Sequence, residues 1–90
     1  MKAAFHAHGK VQGVGYRWFV VQQAQALGLG GWVRNEPDGT VMGEAEGDLS
    51  HLEAFKDLLE GGSPFARVSR LDWWVGEGGQ SLPLPFEVRR

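Results

Sequence analysis

Ninety residues allow one domain (residues 1–90), which buries roughly 60–65% of its unfolded surface, and 42% apolar against 22% charged residues excludes a disordered chain. With no cysteine there is no disulfide, thiolate zinc site or cysteine nucleophile, and no apolar run approaches the ~18 residues that span a bilayer. A net charge of −2 lacks the basic excess usual in nucleic-acid-binding domains, so any attraction for an anion has to be local.

The first residues, Met1 to His6, carry one lysine and no apolar signal-peptide core, which points to a cytoplasmic protein. Lys2 to His8 alternates: Ala3, Phe5 and Ala7 share one face, and Ala4, His6 and His8 the other, as in a half-buried strand. His6 and His8 have the spacing of a metal pair, but no third ligand of the right type is evident nearby, and solvent-facing histidines are the simpler reading.

The stretch Gly9-Lys10-Val11-Gln12-Gly13-Val14-Gly15-Tyr16-Arg17 ends this strand and opens a helix. Three glycines in seven positions let backbone N–H groups turn inward, and the orphan N–H groups of a helix start add to an oxyanion cradle. Arg17 falls in the first turn, where a cation opposes the helix dipole unless an anion lies between them. Arg17 to Leu27 is predicted helical, with Val20, Val21, Ala24 and Leu27 on one stripe and Gly28 as the C-terminal cap. Trp18 and Phe19 are expected to pack the loop down.

Gly31 to Asn35 reads as a second strand, Glu36-Pro37-Asp38-Gly39 as a turn, and Thr40 to Gly47 as a third strand, forming a hairpin. Gly43 and Gly47 mark places where a side chain would intrude, in the simplest picture against a helix. Ser50 to Glu60 is predicted to be the second helix, with Ser50 and Glu53 as a capping box and Leu52, Phe55, Leu58 and Leu59 as its apolar stripe. Gly61-Gly62-Ser63-Pro64 ends it. Arg67 to Val75 is a further strand, with Ser69, Leu71, Trp73 and Val75 opposite Val68, Arg70, Asp72 and Trp74. Residues 77–81 form a loop expected to be mobile, and Phe86 to Arg89 a short terminal strand.

Strand, helix, strand, strand, helix, strand is the order of a ferredoxin-like α+β sandwich: an antiparallel-type sheet with two helices on one face, here with a short C-terminal strand added. That fold hosts many functions, so the chemistry has to come from the residues. A nucleotide P-loop run is absent, Trp18 stands where a dinucleotide fingerprint needs its third glycine, and no nucleophile elbow or zinc helix occurs. Apart from the cradle and Arg17, the notable residue is Asn35, the only asparagine in the chain. Its amide can donate and accept at once, as orienting a water requires, but it could equally just begin the Glu36-Pro37 turn.

Gly9 to Arg17 resembles the first signature of the acylphosphatases, and Gly31-Trp32-Val33-Arg34-Asn35-Glu36-Pro37-Asp38-Gly39-Thr40-Val41 the second. Pro64-Phe65-Ala66-Arg67-Val68 and Phe86-Glu87-Val88-Arg89 also fit, so the likeness runs over essentially the whole chain. It implies hydrolysis of the carboxyl-phosphate bond of an acyl phosphate to a carboxylate and inorganic phosphate, with neither metal nor organic cofactor. By position, Arg17 matches the family's phosphate-binding arginine and Asn35 its water-orienting asparagine. Val11, Gln12, Gly13, Val14, Gly15 and Tyr16 match the phosphate loop. Lys10 departs from a common arginine, and Glu36 from a frequent small hydroxyl residue; a carboxylate there could repel an anionic substrate.

The expected partners are therefore a small-molecule acyl phosphate and its phosphate product, with no nucleic acid or membrane, and monomer is the simplest assembly. Two other classes compete. A single-stranded RNA module could stack bases on Trp32, Trp73 and Trp74, although the charge is wrong for it. A regulatory acylphosphatase-like domain, as found within larger carbamoyl-transfer proteins, would bind without turnover; a 90-residue chain starting at Met1 favours the free enzyme.

Overall fold

A computed structural model describes all residues from Met1 to Arg90. The elements run β1 (Lys2–Lys10), α1 (Tyr16–Ala26), β2 (Gly30–Asn35), β3 (Val41–Glu46), α2 (Leu49–Gly61), β4 (Arg67–Gly76) and β5 (Glu87–Val88), and the sheet order is β4-β1-β3-β2-β5. This is the expected ferredoxin-like arrangement. Every neighbouring pair among the first four strands is antiparallel, whereas β5 lies parallel to β2, so the sheet is mixed at that edge.

β1 lies inside the sheet, between β4 and β3, and its inner face is wholly apolar. Ala3, Phe5 and Ala7 are buried, and Phe5 pairs across the strands with Gly43 on β3 and Trp73 on β4. The Phe5 ring lies over Gly43, where a Cβ would overlap that ring and the Trp32 carbonyl. Gly43 is thus small because of neighbouring strands rather than a helix, and at Gly47 the obstructing group is the side chain of Leu29. Phe55 from α2 meets Phe5 edge-on at 5.8 Å and Phe86 at 6.0 Å, so three aromatic rings join sheet, helix and C-terminal segment. Burying each contributes roughly 2–3 kcal/mol.

Helix α1 ends where glycine was expected to cap it. Gly28 is left-handed at φ 70°, its N–H donates to Gln25, and the Leu29 N–H donates to Ala24, the two bonds of a Schellman cap. Helix α2 corrects two expectations. It begins one residue earlier, with Asp48 as its N-cap, and no side-chain capping bond forms, so the Ser50–Glu53 box is not made. Leu52, Phe55 and Leu59 are buried, but Leu58 is 37% exposed because the 3.6 period carries it off the stripe.

β4 corrects a third. Its register against β1 slips between His8 and Gly9, so Arg70 opposes His8 while Val68 opposes Gly9. The residue in excess is Ser69, a bulge that resets the alternation and lets Val68, Leu71 and Trp73 all pack on the core. Strict period-2 reading had put Val68 on the opposite face. The 77–83 segment has no strand or helix, but it is tethered: Lys2 donates to the Gln80 carbonyl, Leu82 N–H to Glu46 Oε1 (2.9 Å) and Gly31 N–H to the Pro83 carbonyl (2.7 Å).

Candidate active site

The glycine loop crosses from β1 to α1 as its sterics require. Gly13 and Gly15 are left-handed, at φ 72° and 80°, and Gly15 is itself the N-cap of α1. A glycine cap has no side chain to satisfy the first-turn N–H groups, and no acidic residue sits in that turn. None of the N–H groups from Gln12 to Gly15 donates to another backbone carbonyl. A run of N–H groups without a backbone acceptor therefore lies at the positive end of α1.

Beside them lies a cavity of about 190 Å³ lined by Val11, Gly13, Gly15, Tyr16, Arg17, Trp18 and Asn35; Gln12 and Val14 are not part of the lining. Arg17 is half-buried and forms neither an ion pair nor a side-chain hydrogen bond. Asn35 arrives from the end of β2, paired in register with Val41. Its Oδ1 is buried and has no hydrogen-bond partner. Leaving such an acceptor unpaired costs about 1–3 kcal/mol, and this oxygen is available to a donor from outside the chain.

The competing view of Asn35 as a turn former is not supported by the bonding. The turn is closed by Glu36, whose N–H and carbonyl pair with Thr40 and Gly39, and by Asp38, whose Oδ1 accepts from the Thr40 N–H (3.0 Å) and hydroxyl (2.6 Å). These two bonds hold the Asp38 carboxyl below the usual carboxylate range.

Other residues of the loop motif act through structure. Gln12 turns its side chain away from the cavity and donates to the Glu36 carbonyl (2.7 Å) and the Thr40 carbonyl (2.8 Å), tying the glycine loop to the turn after Asn35. Val14 packs on the core. Tyr16 is 1% exposed, its hydroxyl donates to the Leu59 carbonyl (2.9 Å), and burial pushes its phenol pKa far up; its side chain is an anchor between the helices. Glu36 is paired with Arg34 at 2.8 Å and lies outside the cavity lining, so its charge is offset by a neighbouring guanidinium. Lys10 also stands outside the lining.

Two expectations about aromatics change. Trp18 does not pack the loop down; it is 65% exposed and forms part of the cavity wall. The three tryptophans proposed as a stacking platform do not form one. Trp32 is buried between the guanidinium groups of Arg34 and Arg89, each 5.0 Å from its ring, and Trp73 stacks inward on Phe5. Trp74 alone of the three is exposed. A larger cavity of about 570 Å³ opens beside the 77–83 loop, where Lys2 and Arg89 offset Glu44 and Glu77. It has no free helix terminus and no net charge to attract a phosphate.

Sequence reasoning missed one grouping. Asp72 on β4 is brought opposite His6 on β1, with Oδ2 3.0 Å from His8 Nε2. A third residue of ligand type therefore does stand beside the two histidines; strands 64 residues apart in sequence hid it.

Comparison with known proteins agrees with this architecture. The acylphosphatase family model matches residues 3–79. An acylphosphatase of Cupriavidus pinatubonensis is 51% identical over 72 residues, covering 80% of each chain. The crystal structure of acylphosphatase from Bacillus subtilis superposes with a TM-score of 0.94 at 32% identity, over 99% of this chain and 98% of that one. The same fold recurs in Thermococcus kodakarensis HypF, with a TM-score of 0.75 and 34% identity, covering 97% of this chain but 12% of that chain. Glycine cradle, unpaired arginine and orphaned asparagine thus stand on a scaffold shared along nearly its full length with these enzymes, and the chain belongs to the acylphosphatase family of hydrolases.

Proposed function

We propose that in this acylphosphatase the Val11–Tyr16 loop and Arg17 hold the substrate phosphate while Asn35 orients the attacking water. The observation that carries this reading is the buried, partnerless Asn35 Oδ1 in the same cavity as the unpaired Arg17 guanidinium. Phosphoryl transfer asks the protein mainly for position and charge stabilisation. Free loop N–H groups and the arginine fork supply both for three equatorial oxygens. A water donating to Asn35 Oδ1 keeps its lone pair aimed at phosphorus, in line with the departing carboxylate oxygen. The P–O bond to the acyl group breaks as the water–phosphorus bond forms, giving a carboxylate and inorganic phosphate.

No carboxylate or imidazole lines the cavity. The proton of the water therefore passes to a phosphate oxygen of the substrate itself, a route open because an acyl phosphate already has a good leaving group. Trp18 gives the acyl portion an aromatic wall at the mouth. The chain has no helix long and apolar enough to cross a membrane, and we read it as a cytoplasmic monomer acting on a small molecule rather than on nucleic acid.

The test is acyl-phosphate hydrolysis in the presence of chelator, with inorganic phosphate titrated as inhibitor. Turnover with competitive phosphate inhibition is expected; no turnover, or turnover abolished by chelator, overturns the mechanism. Phosphate binding without hydrolysis would favour the binding-only reading instead.

A further inference from the structure

The sheet face turned away from the helices carries a cluster that the phosphate chemistry does not use. His6 and His8 project together from β1, their rings 4.3 Å apart, and Asp72 stands opposite His6 on β4. All three are half-buried, and one donor atom from each lies within 4.8 Å of the others. We propose that His6, His8 and Asp72 form a binding site for a borderline first-row divalent cation, Zn²⁺ or Co²⁺, separate from the hydrolytic cavity.

The donor set argues for that class of ion. Two imidazoles and one carboxylate suit zinc and its neighbours rather than magnesium, and three protein ligands leave a position for water. Two hydrogen-bonded strands hold the donors, and β1 is an interior strand paired on both sides, with β4 and β3, so little ordering is needed on binding.

The surroundings argue for it independently. Thr40 gives its only hydroxyl proton to Asp38 Oδ1 at 2.6 Å. The 2.6 Å contact between His6 Nε2 and Thr40 Oγ1 is therefore an imidazole N–H donating to the hydroxyl, which leaves the lone pair of His6 on Nδ1. An imidazole whose other nitrogen donates along a chain to a carboxylate is the usual support of a metal-ligating histidine. The cluster already takes a cation. Arg70 Nε lies 3.1 Å from Asp72 Oδ1, and its Nη2 lies 3.3 Å from Asp72 Oδ2 and 3.2 Å from His8 Nε2. The Arg70 side chain is 66% exposed and free to swing into solvent when a metal takes those lone pairs.

Titration of the whole protein with Co²⁺, read by visible absorption and calorimetry and followed by displacement with Zn²⁺, tests the site. One equivalent is expected to bind, with Mg²⁺ failing to compete. His8→Gln and Asp72→Asn should each weaken Co²⁺ binding by at least about tenfold, and Thr40→Val by about tenfold, since removing a ligand's support typically costs 10- to 100-fold. Arg70→Gln should tighten it by removing the resident cation. Asp72→Asn should hydrolyse acyl phosphates like the unsubstituted protein, with circular dichroism reporting an intact fold. The absence of saturable one-equivalent binding overturns the proposal. So does binding that survives both His8→Gln and Asp72→Asn, or that is lost instead in His51→Gln.

Discussion

Two groups of polar side chains sit within a few residues of each other at one end of the sheet, and they are treated in opposite ways. Gln12, Asp38 and Thr40 are fully engaged: Gln12 spans two carbonyls, and Asp38 caps Thr40 twice. Arg17 and Asn35, just beside them, are left with a free guanidinium and an orphaned buried oxygen. The paired set fixes the backbone of the loop and the turn. The unpaired set is thereby held in place without spending its own hydrogen-bonding capacity, which is what a preorganised site requires.

The comparison can be broken most severely at Arg17. Arg17→Lys keeps the charge but loses the planar fork, and kcat/KM for acyl-phosphate hydrolysis should fall on the order of 10³-fold. Near-normal hydrolysis by that variant would remove Arg17 from the mechanism. Asn35→Ala should lower kcat on the order of 10²- to 10³-fold, as loss of an oxyanion-hole donor does, while leaving the phosphate inhibition constant unchanged. Equal loss of phosphate affinity would make Asn35 a phosphate ligand instead. Its chemical stability to denaturant should hold or rise, because an unsatisfied acceptor is removed.

The paired set should answer differently. Gln12→Ala removes two hydrogen bonds and should cost about 1–2 kcal/mol in a urea melt, with a rise in KM larger than the fall in kcat. Trp18→Ala should leave the melt unchanged and raise KM severalfold for an aromatic acyl phosphate but not for a small aliphatic one. The smallest effect belongs to Asp38. Its carboxyl titrates below the usual range because Thr40 donates to the ionised form, so its contribution is present above the unfolded-state pKa and lost as pH falls through the folded one. The stability gap between the unsubstituted protein and Asp38→Asn should therefore be constant at neutral pH and close on acidification below pH ~4, the ordinary aspartate value. A gap that widens in acid would contradict the Thr40 bonds.

Much of this was legible in the chain. The left-handed turns of the glycine loop and of the α1 C-terminus followed from glycines where only glycine turns easily left-handed, and Gly13, Gly15 and Gly28 all do so. The helix stripes and the order of elements followed from periodicity, and the pairing of Arg17 with Asn35 from the two family signatures. The misreadings share a cause. The Ser69 bulge, the Phe5 ring over Gly43 and the carboxylate of Asp72 beside His8 each depend on register between strands. One inserted residue flips a face without leaving a mark in local composition.

Local sterics and periodicity, then, determined by themselves where the chain turns, where it coils and where it could hold an oxyanion. Tertiary structure decided which polar atoms would be spent. Gln12 reaches carbonyls 24 and 28 residues away, while the nearby Asn35 Oδ1 is left without a partner. Whether a hydrogen-bonding group is satisfied depends on everything that approaches it in space, and no spacing along the chain encodes that.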